Sequence, residues 1–260
     1  MLEQIVLHPG FHKTGTSSLQ QTMDANKKRL PDRFGVLLRP QLVQLSKAVF
    51  RYAQSRDDAA LAVIRREAGA LAANHSDRIK TLLISEENLS GPMPGRAGAH
   101  NYGATRSILQ AMTEGILHTS PDCRICVFFT TRHPGPWLKS CYWQCMRRGR
   151  VGMSEDAFAE RYQKAANLAE VVAEVTDALP EHLVVSTSLE DCTQRRLGPL
   201  DALLDLTDIP NGRRARIVAR PIAHKMPPLE IQKQLIKLDQ SDLSDKDLVV
   251  AKRALIDAQF

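Results

Sequence analysis

At 260 residues, 43% apolar and 25% charged, the chain has the make-up of an ordinary globular enzyme with one substantial core, and it lacks the repeats or low-complexity tracts of a solenoid or a disordered protein. The net charge of +6 favours a polyanionic ligand, an acidic substrate or nucleic acid, but aromatics are only 5% and the basic clusters are dispersed, which argues against a nucleic-acid partner. No apolar run approaches a bilayer span, Ile5-Val6-Leu7 is too short for a signal-peptide core, and five cysteines, an odd count, suit reduced thiols, so a single cytoplasmic domain over residues 1–260 without membrane contact is expected.

Short apolar runs at about 4–9, 34–38, 81–85, 124–131 and 182–187 have strand length. Between and after them helical periodicity predicts helices at about 16–29, 41–55, 57–74, 104–118, 135–147, 155–178, 198–206, 228–239 and 243–258. Strand alternating with helix predicts an α/β fold, a central mostly parallel sheet flanked by helices in a P-loop nucleotide-binding-like architecture. In such sheets ligands bind beyond the carboxyl ends of the strands, so the loops there are the places to seek chemistry.

After the first strand comes His8-Pro9-Gly10-Phe11-His12-Lys13-Thr14-Gly15-Thr16-Ser17-Ser18-Leu19-Gln20, a loop of small residues entering a helix. Glycines let backbone N–H groups converge on an anion, and the helix start adds partial positive charge. Gly10 and Gly15 have the spacing of a nucleoside-triphosphatase P-loop, but Thr16-Ser17 follows where Lys-Ser/Thr is required, and Lys13 lies inside the loop instead.

The order Lys-Thr-Gly-Thr-Ser-Ser-Leu-Gln resembles the 5′-phosphosulfate loop of the sulfotransferases that use 3′-phosphoadenosine-5′-phosphosulfate (PAPS), those of the soluble bacterial type. The resemblance implies that His12, Lys13, Thr14, Gly15, Thr16, Ser17 and Ser18 cradle the 5′-phosphosulfate. It also implies that Lys13 stabilises the leaving group.

After the strand Thr81-Leu82-Leu83-Ile84-Ser85 stand Glu86-Glu87-Asn88, acids where a general base would be useful. The stretch resembles the Ser-Glu segment of many sulfotransferases, which favours Glu87 as base, with Glu86 the alternative and His8 and His12 rivals on the first loop. An acid ending an apolar run also fits the magnesium-holding segment of a P-loop kinase using ATP, the principal alternative.

After the strand Cys126-Val127-Phe128-Phe129-Thr130-Thr131 comes Arg132, with Ser140 eight positions on in the following helix. An arginine fork and a hydroxyl suit a phosphate dianion. Arg-x7-Ser-x-Tyr resembles the 3′-phosphate element of sulfotransferases, which implies that Arg132 and Ser140 bind the phosphate that PAPS has and ATP lacks.

Cys123, Cys126, Cys141 and Cys145 can be drawn as a zinc site, but the strand and helix patterns around them favour small buried apolar residues, and no metal is expected. The C-terminal part departs from the sulfotransferase pattern at Ala219-Arg220-Pro221-Ile222-Ala223-His224-Lys225, leaving Arg148, Arg220 and Lys225 as candidates for the far end of the cofactor. The expected activity is sulfuryl transfer from PAPS to a hydroxyl or amine of a small-molecule or carbohydrate acceptor, releasing adenosine 3′,5′-bisphosphate. Residues 91–106 form the expected acceptor-shaping loop, and a non-catalytic anion or nucleic-acid binding module is the least favoured reading.

Overall fold

The computed structural model describes residues 1–220 and 226–258. Lys225, one of the candidate cofactor contacts, lies outside them. The strands are β1 (Gln4–His8), β2 (Phe34–Leu37), β3 (Thr81–Ser85), β4 (Arg124–Thr131) and β5 (Leu183–Ser188), all parallel, in the order β2-β3-β1-β4-β5. The expected α/β architecture is present, with the chemistry-bearing strands β1, β3 and β4 side by side at its centre.

The helices are α1 (Thr16–Asn26), α2 (Val43–Ser55), α3 (Asp58–Ala73), α4 (Thr105–Thr119), α5 (Pro134–Met146), α6 (Glu155–Tyr162), α7 (Leu168–Ala178), α8 (Pro199–Leu204), α9 (Asn211–Ala215), α10 (Leu229–Asp239) and α11 (Asp245–Asp257). Alternation along the central strands sorts them into two layers. Val6, Leu83, Cys126 and Phe128 pack with Leu19, Met23, Leu200 and Leu203 of α1 and α8. Their sequence neighbours Ile5, Leu7, Ile84, Val127 and Phe129 face the opposite layer, in a core with residues of α2, α3, α4, α5 and α7. Within that layer α3 and α4 meet backbone to backbone, for a Cβ on Gly115 would lie 1.9 Å from the Arg65 carbonyl oxygen.

Local chemistry explains where the structure departs from the predicted spans. The helix expected over 155–178 is two, because after a 3₁₀ turn at Gln163–Ala166 the Asn167 side chain accepts from the Glu170 N–H and starts α7 as a new helix. The first helix tightens into a 3₁₀ turn at Lys27–Arg29, and the short α9 was not foreseen. The basic cluster Arg147-Arg148-Gly149-Arg150 is in part structural. The Arg150 guanidinium donates to the carbonyls of Asp239, Ser241 and Leu243 and so fastens α5 to the α10–α11 turn. Beside it, fully buried Lys252 donates to Asp239 Oδ1 at 2.5 Å and to the Gly149 carbonyl at 2.9 Å. Among the described residues no helix is long and apolar enough to cross a membrane.

Candidate functional site

The loop after β1 is shaped by three residues in the left-handed region, Gly10 (φ 56°), Lys13 (φ 67°) and Gly15 (φ 94°). At Gly15 a side chain is excluded twice, by its φ and by Leu189 Cδ1, 2.9 Å from where a Cβ would stand. Lys13 has no such exemption, so its backbone carries strain of about 1 kcal/mol, held in place by its surroundings. Inside the bend the Thr14 hydroxyl donates to the Phe11 carbonyl at 2.7 Å and Thr16 to the same oxygen at 3.4 Å. These two hydroxyls therefore build the loop, while Ser17 and Ser18 remain partly exposed.

The consequence lies in the backbone. The N–H groups of residues 13–17 find no acceptor among the described residues; the first bonds of α1 run from Ser18 and Leu19 to the Gly15 carbonyl. No acidic side chain occupies the first turn of α1. A run of unbonded N–H groups at a helix start has the donors that an anion cradle needs.

Around it stand the two carboxylates, in different environments. Glu86 is fully buried; its side chain accepts from the Asn88 backbone and side-chain N–H groups, capping the 3₁₀ turn Glu87–Ser90. Burial, then the neighbouring Glu87 charge, pushes its carboxyl up to about 7. Glu87 is partly exposed and accepts from Gln20 Nε2 at 3.2 Å. Gln20 also donates to the Ser85 carbonyl and so ties α1 to the end of β3. Glu87 interacts electrostatically with both Lys13 and His12, and so is the member of the pair that feels the cradle.

The two histidines are held as neutral rings. His8 is fully buried beneath the loop, its Nδ1 2.8 Å from the Ser85 hydroxyl, and burial lowers its pKa to about 3. At His12 burial lowers the pKa to about 4. The Tyr102 oxygen accepts from the His12 backbone N–H at 3.2 Å and lies 3.0 Å from Nδ1, to which its hydroxyl donates. That leaves the proton on Nε2, directed at Asn88 Oδ1 at 3.3 Å. A hydrogen-bonded chain thus runs Tyr102, His12, Asn88, Glu86.

Arg132 begins where β4 ends, and Nη1 donates to the Lys13 carbonyl at 3.2 Å across 119 residues of sequence. The fold therefore brings the first and third loops together. Helix α5 then lies along the cradle. Trp137 Nε1 donates to the His12 carbonyl at 2.8 Å, and Lys13 Nζ donates to Gln144 Oε1 at 3.3 Å. Ser140 stands one turn before Gln144 on the same helix face. Burial lowers the Lys13 pKa, and the Arg147 and Arg132 charges lower it further, so three cations share this corner. Arg148 is exposed, and the Arg220 N–H donates to Thr22 Oγ1 on α1.

Buried polar atoms mark the same place. His8 Nε2, Glu86 Oε2, Arg132 Nε and Glu190 Oε2 are inaccessible and lack a hydrogen-bond partner among the described residues. They belong to the carboxyl-terminal ends of β1, β3, β4 and β5. Buried polar atoms are ordinarily satisfied, so these four mark an incompletely satisfied polar layer beneath the loops, although none of them is itself open to a ligand.

No protein-family model and no curated protein matches this chain.

Gln20, Tyr102, Trp137, Gln144 and Arg147 all act at this corner without having been singled out for it in the sequence. Gln144 was accessible in principle as the residue one helical turn after Ser140, whereas the Tyr102 and Trp137 contacts depend on how the layers pack. The five cysteines are buried and free, and among the described residues no three His, Cys, Asp or Glu side chains group as metal ligands. Physically the corner can hold a multiply charged anion at the N–H cradle, neutralise it with nearby cations, and offer a carboxylate in the same field.

Proposed function

We propose that the protein is a sulfotransferase that moves the sulfuryl group of PAPS to a hydroxyl or amine of a small-molecule or carbohydrate acceptor, leaving adenosine 3′,5′-bisphosphate. One observation carries the reading: the unbonded N–H groups of residues 13–17 adjoin Arg132, whose guanidinium donates to the Lys13 carbonyl. A nucleotide with phosphate at both ends of its ribose needs two anion sites on one surface. A strand-end arginine beside a phosphate cradle supplies that pairing.

In this reading the N–H cradle and Ser17 and Ser18 hold the 5′-phosphosulfate, and Arg132 with Ser140 holds the 3′-phosphate. Lys13 Nζ meets the charge that develops on the bridging oxygen as the sulfuryl group departs. Its strained backbone and its hydrogen bond to Gln144 fix where that cation sits. Glu87 takes the acceptor's proton, with its carboxylate oriented by Gln20. Glu86 caps the turn that presents Glu87 and does not take part in transfer.

Incubating the protein with PAPS and panels of phenols, amines, neutral sugars and acidic sugars, with bisphosphate release as readout, tests the proposal. Acceptor-dependent release is expected from one panel. Release from none, together with ATP-dependent phosphorylation of any, would hand the site to a kinase.

A further inference from the structure

A groove of about 560 Å³ opens beside the cradle, between α2 and the segment that follows β3. Its lining includes the hydrogen-bonded pair His12 and Asn88, which adjoin Lys13 and Glu87 in sequence, so the groove borders the place where transfer would occur under the function proposed above. Its volume suits a molecule of one or two sugar rings.

The chemistry of its walls is one-sided. Arg39, Lys47, Arg51 and Arg96 line it, and among the described residues no aspartate or glutamate does. Lys47 and Arg51 are one helical turn apart on α2, a like-charged pair that disfavours the isolated helix. Arg96 reaches the groove from the opposite wall. Of the four, Arg51 alone forms a close ion pair among the described residues, a solvent-exposed one with Asp57 at 3.1 Å, while the Arg39 charge acts on buried Glu86. Phe50 and Met93 give the groove apolar surface, and the Ser46 hydroxyl is buried without a partner among the described residues. Four cations around one concavity with no acid in its lining focus a positive potential where a ligand must enter. They also leave little to attract a neutral ligand over a charged one.

We infer that this groove is the acceptor site and that the acceptor is itself an anion, carrying carboxylate or pre-existing sulfate groups distal to the hydroxyl or amine that is modified. The inference rests on the sulfotransferase reading for the word acceptor, but the groove's preference for an anion does not. The reacting group sits at the His12 end, near Glu87, and the fixed negative charges sit between Lys47, Arg51 and Arg96. Charge on the acceptor thereby fixes which of its hydroxyls reaches the cradle.

The test is direct binding, without PAPS, of three labelled disaccharides: neutral, carboxylated and sulfated. The carboxylated or the sulfated probe is expected to bind at least ten-fold more tightly than the neutral one, and added salt should weaken it. Which of the two binds better distinguishes the source of the charge. Lys47→Glu and Arg96→Glu should each weaken that binding about ten-fold, while the thermal shift produced by adenosine 3′,5′-bisphosphate stays as in the unaltered protein. Equal binding of all three probes, binding of none, or anion binding unchanged in both variants would overturn the inference. Failure of the bisphosphate to stabilise the protein, with charge-dependent probe binding intact, would instead overturn the sulfotransferase reading and leave the anion groove standing.

Discussion

Replacing Glu86 by Gln should make the protein more stable at alkaline pH, an outcome opposite to that of most buried substitutions. The carboxyl is fully buried, and burial with the Glu87 charge raises its pKa from an ordinary 4.5 to about 7. Between those values the folded state holds a proton that the unfolded state has released, so stability contributed at this position falls as pH rises from 4.5 and levels off above about 7. At about 1.4 kcal/mol per pH step, the ionised carboxylate costs roughly 3 kcal/mol at pH 8. Glutamine keeps an oxygen for the two Asn88 N–H groups and so preserves the cap. His8 and His12 have pKa values lowered by burial, so they contribute a slope of the other sign, stability rising as pH climbs from their folded values toward 6.5. The difference between the two proteins cancels that contribution. Urea denaturation across pH 4 to 9 should show curves that nearly coincide at pH 4 and separate by about 3 kcal/mol at pH 8, the variant being the more stable. A variant equal to or less stable than the original protein at pH 8 would refute the claim that Glu86 is a carboxyl held in an unfavourable place.

Glu87→Gln should lower turnover about 100-fold while leaving bisphosphate affinity nearly unchanged, whereas Glu86→Gln should keep most of the activity; steady-state kinetics on both variants separate the two carboxylates. Arg132→Ala should act chiefly on the Michaelis constant for PAPS, because the 3′-phosphate charge is constant through the reaction, and Lys13→Ala chiefly on turnover at saturating PAPS, because charge develops at the oxygen it faces. Similar kinetic signatures for the two would undo that division of labour. Asp239→Ala strands the Lys252 ammonium in the interior and should cost about 3–5 kcal/mol in denaturant unfolding; Asp239→Leu with Lys252→Met should recover much of the loss.

Sheet class and strand positions were legible because β1, β3 and β4 are buried on both faces and read as continuous apolar runs. The loop from His8 to Gln20 could be read as a candidate anion site because its glycines and the helix start are local features. The resemblance favoured Glu87 over Glu86, but the different surroundings of the two acids were not legible, since they depend on what folds around them: Gln20 reaches one and Asn88 the other. The meeting of Arg132 with Lys13 likewise depends on β1 and β4 being neighbours, which sequence spacing does not specify. The basic groove was hidden for the same reason, its cations being spread from Arg39 to Arg96 with no motif to join them.

The measurement that bears most directly on the central claim is calorimetric titration of the protein with adenosine 3′,5′-bisphosphate, 5′-AMP and ATP with magnesium, repeated on Arg132→Ala. The bisphosphate should bind most tightly. Removing Arg132 should erase most of its advantage over 5′-AMP while changing 5′-AMP itself little, because only the bisphosphate carries the group that Arg132 and Ser140 are proposed to hold. Tighter binding of ATP with magnesium, or an equal loss of both adenosine ligands in Arg132→Ala, would contradict the assignment of this corner to PAPS.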